Sequence, residues 1–397
     1  MTIGITATSG LHISDEFSPL LQRLADLGPL LAENADRSDE TGQLPEKVIQ
    51  ALRESGVLKI GIPRELGGYE FSPRQQIETI TQLSYLDASA AWVCMVLQMV
   101  TGTTAAYLGG TSVRDLFPDV AGDRFAVIAG QGTKPGTAIR VDGGYRLSGH
   151  WQFASGIALA SHLHSAAWCE ETGQALICTF PREQATLIDN WDVLGLRSTA
   201  SIDYTCDDVF IPDTHVFEAA TMRAHHGGAL YRIGLANMSG ISHTGWAIGV
   251  GRRLLDELKA LAAKKTGSPN ASIDTQQFFA DYANAESKLR SAQAWALEVW
   301  GAIEATLERG EPLDTEQETL ARLTLNNATS SAHEVGRLAY KWAGTSALRR
   351  GVIQRFFRDL HAGTQHITSG PGVLQNCGKW LSGLAPDARW SFLGLES

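Results

Sequence analysis

The chain has 397 residues, 44% hydrophobic and 19% charged, which suffices for one large or two to three ordinary domains with substantial cores. A formal net charge of −10 without any basic block excludes nucleic acid and an anionic membrane as expected partners. Five scattered cysteines without a C-x-x-C pair read as reduced thiols of a cytoplasmic protein, Met1-Thr2-Ile3-Gly4 does not open a leader, and the histidines lack the spaced carboxylates or thiolates of a metal centre.

Residues 17–120 carry helical periodicity. Ser18-Pro19 reads as an N-cap with a first-turn proline, followed by Leu21, Leu24 and Leu31 at helical spacing. Pro45 opens a second helix with Val48, Ile49 and Leu52 inward and Gly56 as its C′ residue. Ser72-Pro73-Arg74-Gln75 is a capping box ahead of the stripe Ile77, Ile80 and Leu83. Asp87-Ala88-Ser89 begins an almost wholly apolar segment to Leu108, which reads as a buried central helix rather than a membrane span.

From about Phe125 to Phe217 the pattern becomes short alternating runs bounded by glycine and proline. Phe125–Ala129, Thr137–Val141, Tyr145–Phe153, Ser161–Trp168, Ala175–Phe180, Thr186–Trp191 and Ile202–Ile211 read as strands of an antiparallel barrel or sandwich. The third run is the most informative. Asp142-Gly143-Gly144 supplies a hairpin turn, and Tyr145, Leu147, Trp151 and Phe153 share one strand face. Gly149 marks a bulge or a close backbone approach, and Ser155-Gly156 closes the run. Rings, a hydroxyl and bare backbone side by side suit a flat heterocycle; an aromatic-rich core strand is the competing reading.

Helical periodicity returns at about Leu235. Trp246, Val250, Leu254, Leu258 and Leu261 form one stripe, and Phe279, Tyr282, Leu289, Ala296, Trp300 and Leu307 another. After the turn Glu311–Asp314, a third stripe runs from Leu320 to Trp342 and closes at Gly344. Four long helices predict a bundle. The predicted organisation is α+β: an N-terminal helical domain (1–122), a middle antiparallel β-barrel domain (123–234) and a C-terminal four-helix bundle (235–397).

The run Gly149-His150-Trp151-Gln152-Phe153-Ala154-Ser155-Gly156 resembles the flavin strand G-x-K-x-W-I-T-N of the acyl-CoA dehydrogenase superfamily. Leu44-Pro45 through Gly67-Gly68, Leu194–Ser201 with Asp208–Pro212, and Gln277–Ala283 resemble further signatures of the same superfamily. Asp87–Val93 matches D-x-S-x-A-W-V of one branch, the two-component flavin-dependent monooxygenases, which include 4-hydroxyphenylacetate, secosteroid and dibenzothiophene enzymes. Ala343–Leu348 and Gln354–His366 resemble that branch's A-G-x-x-A … Q-R-x-x-R-D-x-H-A-x-x-x-H.

The resemblance implies an oxygenase that receives reduced flavin (FMNH2 or FADH2) from a separate NAD(P)H-dependent flavin reductase. It would react the flavin with O2 through a C4a-(hydro)peroxyflavin to oxygenate a small, aromatic substrate. Ser155 would hydrogen-bond flavin N5, with Phe153 beside the ring, and Ala129, Gln131 and Trp151 would also contact it. Gly344, Thr345 and Ser346 would approach the flavin of a neighbouring subunit in a homotetramer. Arg358-Asp359 reads as a structural ion pair and cap.

Two departures matter. Several branch members place a substrate-facing histidine shortly after D-x-S-x-A-W-V; here that neighbourhood is Leu97-Gln98-Met99, which makes Gln98 the substrate-binding candidate. Straight-chain acyl-CoA dehydrogenases carry their catalytic glutamate eight residues after the aspartate, where this chain has Ile367, preceded by His366. His366 therefore becomes the candidate acid–base residue, with His361 next. An acyl-CoA dehydrogenase-like FAD enzyme with its glutamate on another helix is the alternative.

Overall fold

The computed structural model describes residues 14–267 and 272–396; Met1–Gly4, read above for a leader, lie outside them. Six helices come first: α1 (Phe17–Asp26), α2 (Gly28–Thr41), α3 (Glu46–Ser55), α4 (Pro73–Leu86), α5 (Ala88–Tyr107) and α6 (Ser112–Leu116). Seven strands follow: β1 (Ile128–Val141), β2 (Gly144–Trp151), β3 (His162–Cys169), β4 (Gln174–Pro181), β5 (Thr186–Ile188), β6 (Asp203–Pro212) and β7 (Val216–Glu218). The chain then returns to helix with α7 (Gly234–Lys265), α8 (Gln276–Glu308), α9 (Thr315–Ala343), α10 (Val352–Gly363) and α11 (Pro371–Leu381), and ends on a hairpin of β8 (Arg389–Ser391) and β9 (Gly394–Glu396).

Capping signals decide several boundaries. Ser72 and Gln75 form the reciprocal capping box of α4, Asp87 accepts the Ala90 amide at 2.8 Å to start α5, and Gly56 ends α3 at φ 87°. α1 starts at Phe17 rather than after Ser18, and its first turn has no side-chain cap. α5 is the axis of the fold. It is the one described helix long and apolar enough to cross a bilayer, and 94% of its apolar window is buried inside the protein.

The sheet order is β5-β6-β2-β1-β3-β4-β7. All pairings are antiparallel except β1–β3, because β3 comes back along the far side of β1 from its hairpin partner β2. The predicted runs Phe125–Ala129 and Thr137–Val141 belong largely to one strand, whose register breaks between Gln131 and Gly136. The bulge predicted at Gly149 sits opposite it. Leu147 and Gly149 face Val209 and Cys206, so the extra residue lies on β6, where Asp208 takes φ 52°.

The C-terminal region has three long helices, α7, α8 and α9, and two short ones, α10 and α11, instead of four long ones. Phe278 rather than Phe279 is the buried ring at the start of α8, packed 5.3 Å from Trp342. α7 also packs tightly on α4. A Cβ on Gly245 would lie 2.5 Å from the Ile77 carbonyl oxygen, and one on Gly249 2.2 Å from that of Thr81. That close approach brings the N-terminal half of α7 against α5, where Trp246 donates to the Ala88 carbonyl at 2.8 Å.

Candidate active site

A cavity of about 760 Å³ opens between the sheet and the helices. Its β-side consists of Gly130–Lys134 of β1, His164 of β3, the segment Gln152–Ser155 after β2, and the loop Trp191–Ser201. Its helical side consists of Trp92, Val96, Met99 and Val100 of α5, Ser239 and His243 of α7, and the chain from His361 to Thr368. Three bulky residues that line it, Phe153 (φ 63°), Leu196 (φ 56°) and Phe392 (φ 53°), have left-handed backbones. Such conformations cost free energy for these side chains and cluster at functional sites.

Phe153 shows the local cause. β2 ends at Trp151, and the next residues pair with the loop through Ala154 N–H to Ile202 O (3.1 Å) and Gly156 N–H to Thr199 O (3.0 Å). The left-handed turn at Phe153 removes its ring from the strand face and leaves it 64% exposed in the cavity, edge-on to Trp191 at 6.2 Å. Trp151 stays on the strand face. It is fully buried, stacked on Tyr204 at 5.3 Å, with its indole N–H on the Ala166 carbonyl. It does not line the cavity, so the core reading holds for Trp151 and the exposed-ring reading for Phe153.

Ser155 is 6% exposed and held by Trp92 Nε1, which donates to its Oγ at 3.1 Å, and by Ser201 Oγ at 2.7 Å. Gln131 also lines the cavity, its Oε1 accepting the amides of Thr133 and Lys134; Ala129, two residues earlier, is buried in the β1–β3 pair behind it.

Gln98 lies on another face of α5. Its amide donates to Ser242 Oγ (2.8 Å), and its Oε1 abuts Gly61, so Val96, Met99 and Val100 face the cavity in its place. One residue of a helix is turned 100° from the next, and that rotation decides the matter.

His366 follows α10 and caps the short turn Ile367–Ser369. Its Nδ1 lies 2.7 Å from Thr368 Oγ1 and accepts the Thr368 amide at 3.4 Å. An amide can only donate, so Nδ1 carries the lone pair and Nε2 the proton. His243 lies against it with ring centroids 4.0 Å apart and the ring planes tilted by 31°. There the Nδ1 lies 2.8 Å from the Ser239 carbonyl, which can only accept; Nδ1 therefore bears the proton, and the buried Nε2 is a lone pair without a partner among the described residues. Trp92 meets both rings edge-on, at 5.3 and 5.5 Å.

Burial holds all these imidazoles neutral. It lowers His243 to about 4 against the opposing pull of the Ser239 carbonyl, and His164 to about 4. His366 falls well below its ordinary value, first through burial and then through His243. Among the described lining residues there is no aspartate or glutamate. Ile367 lies in the lining, half exposed.

Arg358 and Asp359 do not pair with each other. Arg358 binds Asp39 (2.7 Å) and the Leu194 carbonyl, while Asp359 accepts the Leu196 amide at 2.6 Å and the Ser89 hydroxyl at 3.3 Å. Both pin the 194–196 loop over the cavity. Burial, reinforced by Asp87, raises Asp359 to about 7. Gly344, Thr345 and Ser346 are exposed at the end of α9, outside the cavity of their own chain, and Lys265 donates to Ser346 Oγ at 3.0 Å.

Sequence reasoning missed His243, Ser201 and Thr199 as site residues. His243 had a signal: it stands three residues before Trp246, a polar group heading an apolar stripe. Ser201 and Thr199 had none beyond a loop signature.

Family models for the N-terminal and C-terminal domains of acyl-CoA dehydrogenase match residues 29–117 and 241–370. The chain belongs to the acyl-CoA dehydrogenase superfamily. Within it, the relatives include monooxygenases and hydroxylases, several of them named as flavin-dependent. An indole-3-acetate monooxygenase of Pseudomonas putida is 28% identical over 95% of this chain and 96% of its own. The oxygenase subunit HsaA, a flavin-dependent monooxygenase of Rhodococcus jostii, is 26% identical over 88% and 94%. The solved structure of XiaF from a Streptomyces species, in complex with FADH2 and glycerol, shares the fold with a TM-score of 0.85 at 20% identity, over 94% of this chain and 96% of that one. The chain is accordingly a flavin-dependent oxidoreductase of the monooxygenase branch.

Proposed function

We propose that this chain is the oxygenase component of a two-component system that takes FMNH2 or FADH2 from a separate NAD(P)H-dependent flavin reductase and uses O2 to oxygenate a small aromatic substrate. The observation that carries the reading against a dehydrogenase is the cavity's set of titratable groups. The straight-chain acyl-CoA dehydrogenases that the chain resembles remove the α-proton of the thioester with a glutamate, and the described lining offers four histidines and Lys134 instead. The cavity also fits a flavin: a hydroxyl at Ser155, an exposed ring at Phe153 and the bare backbone of Gly130 and Gly132 meet along one wall. Reduced flavin, when bound, supplies the electrons for oxygen activation.

The residues of the chain divide the remaining work. Ser155, Phe153 and Gln131 hold the flavin. The Nε2–H of His366 donates to the oxygen being transferred, and the bare Nε2 of His243 accepts an O–H or N–H of the substrate. One imidazole could not do both at one instant, and the opposite tautomers of the pair remove that conflict. Gly344, Thr345 and Ser346, exposed away from their own cavity, suit contact with a neighbour's flavin in a homotetramer of a cytoplasmic enzyme. Stopped-flow oxygen uptake with chemically reduced FMN and FAD tests the assignment. Tightly held oxidised FAD that an acyl-CoA reduces would overturn it, and light scattering decides the assembly.

A further inference from the structure

His164 has no part in the chemistry assigned to His366 and His243, yet its imidazole lines the same cavity. It stands on β3, 1% exposed, opposite Gly130 in the one parallel pairing of the sheet. Phe217 lies edge-on to its ring, with centroids 6.2 Å apart. Thr104 Oγ1, in the last turn of α5, is 3.5 Å from its Nδ1, and its Nε2 has no partner among the described residues. A Cβ on Gly132 would begin 3.5 Å from that Nε2 and 3.5 Å from Leu235 Cδ2, so a side chain there would cover the nitrogen. Gly130 is bare as well, since its Cβ would meet the His164 carbonyl oxygen at 1.9 Å. The result is a buried polar nitrogen that the chain itself leaves uncovered on the cavity side, at a cost that a ligand can remove. Burial holds the ring neutral, lowering it to about 4. Thr104 is fully buried and its hydroxyl has no other acceptor among the described residues, so its proton goes to Nδ1. The ring's own proton then sits on Nε2, which makes Nε2–H a donor to the cavity.

We infer that His164 is a flavin-binding residue whose Nε2–H donates to the C2 carbonyl of the pyrimidine ring, the carbonyl further from N5. The inference rests on the flavin reading of the cavity. Ser155 is tied to Trp92 in the second turn of α5 and His164 to Thr104 in its last turn, while Gly130 and Gly132 belong to the same bare wall. A ligand that meets both Ser155 and His164 is long and flat, as isoalloxazine is. Its C2 oxygen is a neutral acceptor, which suits a neutral imidazole because no charge has to be stripped of water. A one-ring substrate held by His366 and His243 does not extend that far. Leu235, beside the His164 Nε2, stands eight residues before His243 on α7, a rise of about 12 Å.

Anaerobic titrations of the purified protein with dithionite-reduced FMN and 2-thio-FMN test this without turnover, because sulfur in place of the C2 oxygen is a weaker acceptor. The wild type should bind FMN tighter than 2-thio-FMN by roughly tenfold, about one hydrogen bond. His164→Phe keeps a flat ring beside Phe217 but has no N–H. Its FMN affinity should fall by roughly tenfold, and its preference between the two flavins should vanish; a mere loss of packing would weaken both alike and keep the preference. His164→Gln returns an N–H and should recover part of the preference. Should His164→Phe fail to fold, the wild-type pair still decides: equal affinity for FMN and 2-thio-FMN overturns the inference. An unchanged ratio or an unchanged FMN affinity in folded His164→Phe overturns it as well. Failure of FMN and FAD to bind the wild type at all sinks the flavin reading, and this inference with it.

Discussion

The two walls of the cavity control protons in different ways. On the β-side, the hydroxyls of Ser155, Ser201 and Thr199 form a line from the Trp92 indole to the Leu196 carbonyl, and within it each hydroxyl can donate or accept. On the helical side, the two imidazoles share no proton; each takes its tautomer from its own backbone partner, and burial suppresses their charge. The difference teaches what each wall can do. A wall of linked hydroxyls can donate to a ligand or accept from it. A wall of neutral imidazoles offers a donor and an acceptor near a reacting atom with little electrostatic penalty.

The largest expected effect breaks the helical wall alone. His366→Ala should reduce product formation by roughly 10²–10⁴-fold, with hydrogen peroxide release rising in parallel and flavin affinity nearly unchanged. Oxygen uptake set against product yield measures it, and full coupling in the variant would reduce His366 to a capping residue. Ser155→Ala breaks the β-wall. Reduced-flavin affinity should fall by roughly tenfold, the worth of one hydrogen bond, while substrate affinity moves little; equilibrium fluorescence titration checks this.

The third prediction sharpens the comparison at the loop that joins the walls. Asp359 is a carboxyl raised to about 7, so the folded state binds its proton more tightly than the unfolded state does. Its contribution to stability is full below the ordinary carboxylate value and is lost as pH rises through about 7. Asp359→Asn keeps an acceptor for the Leu196 amide without that loss. Its melting temperature should match or trail the wild type at acid pH and exceed it above neutrality; parallel melting curves across pH would show that Asp359 is not the group responsible. The smallest effect is expected from Gln98→Leu. The side chain faces Ser242 and Gly61 rather than the cavity, so product formation and substrate KM should stay within about twofold, with a stability change of about 1 kcal/mol. A many-fold change in KM would return Gln98 to the site.

Much of the architecture was legible because its causes are local. The capping box at Ser72, the N-cap at Asp87 and the C-cap glycines at 56 and 344 each act within a turn of helix, and all four stand where their residue types predict. The strand periodicity of 145–151 was equally local. It failed at Phe153, where the left-handed backbone depends on pairing with residues 199–202, far along the chain. The extra residue at the bulge fell on β6 for a similar reason: a bulge belongs to a pair of strands, and one strand's sequence cannot say which partner yields.

The sequence by itself determined the helix–sheet–helix order, the presence of Ile367, preceded by His366, where the related dehydrogenases carry their catalytic carboxylate, and the residues that could meet a flat ring. Those are matters of residue type and short spacing. Tertiary structure alone decided that Trp151 is core while Phe153 is exposed, that Gln98 faces away, and that His243 comes within 4.0 Å of His366 from a helix more than a hundred residues earlier. It also decided that the hydroxyls of Ser155, Ser201 and Thr199 meet in one buried line, because packing brings together segments distant along the chain.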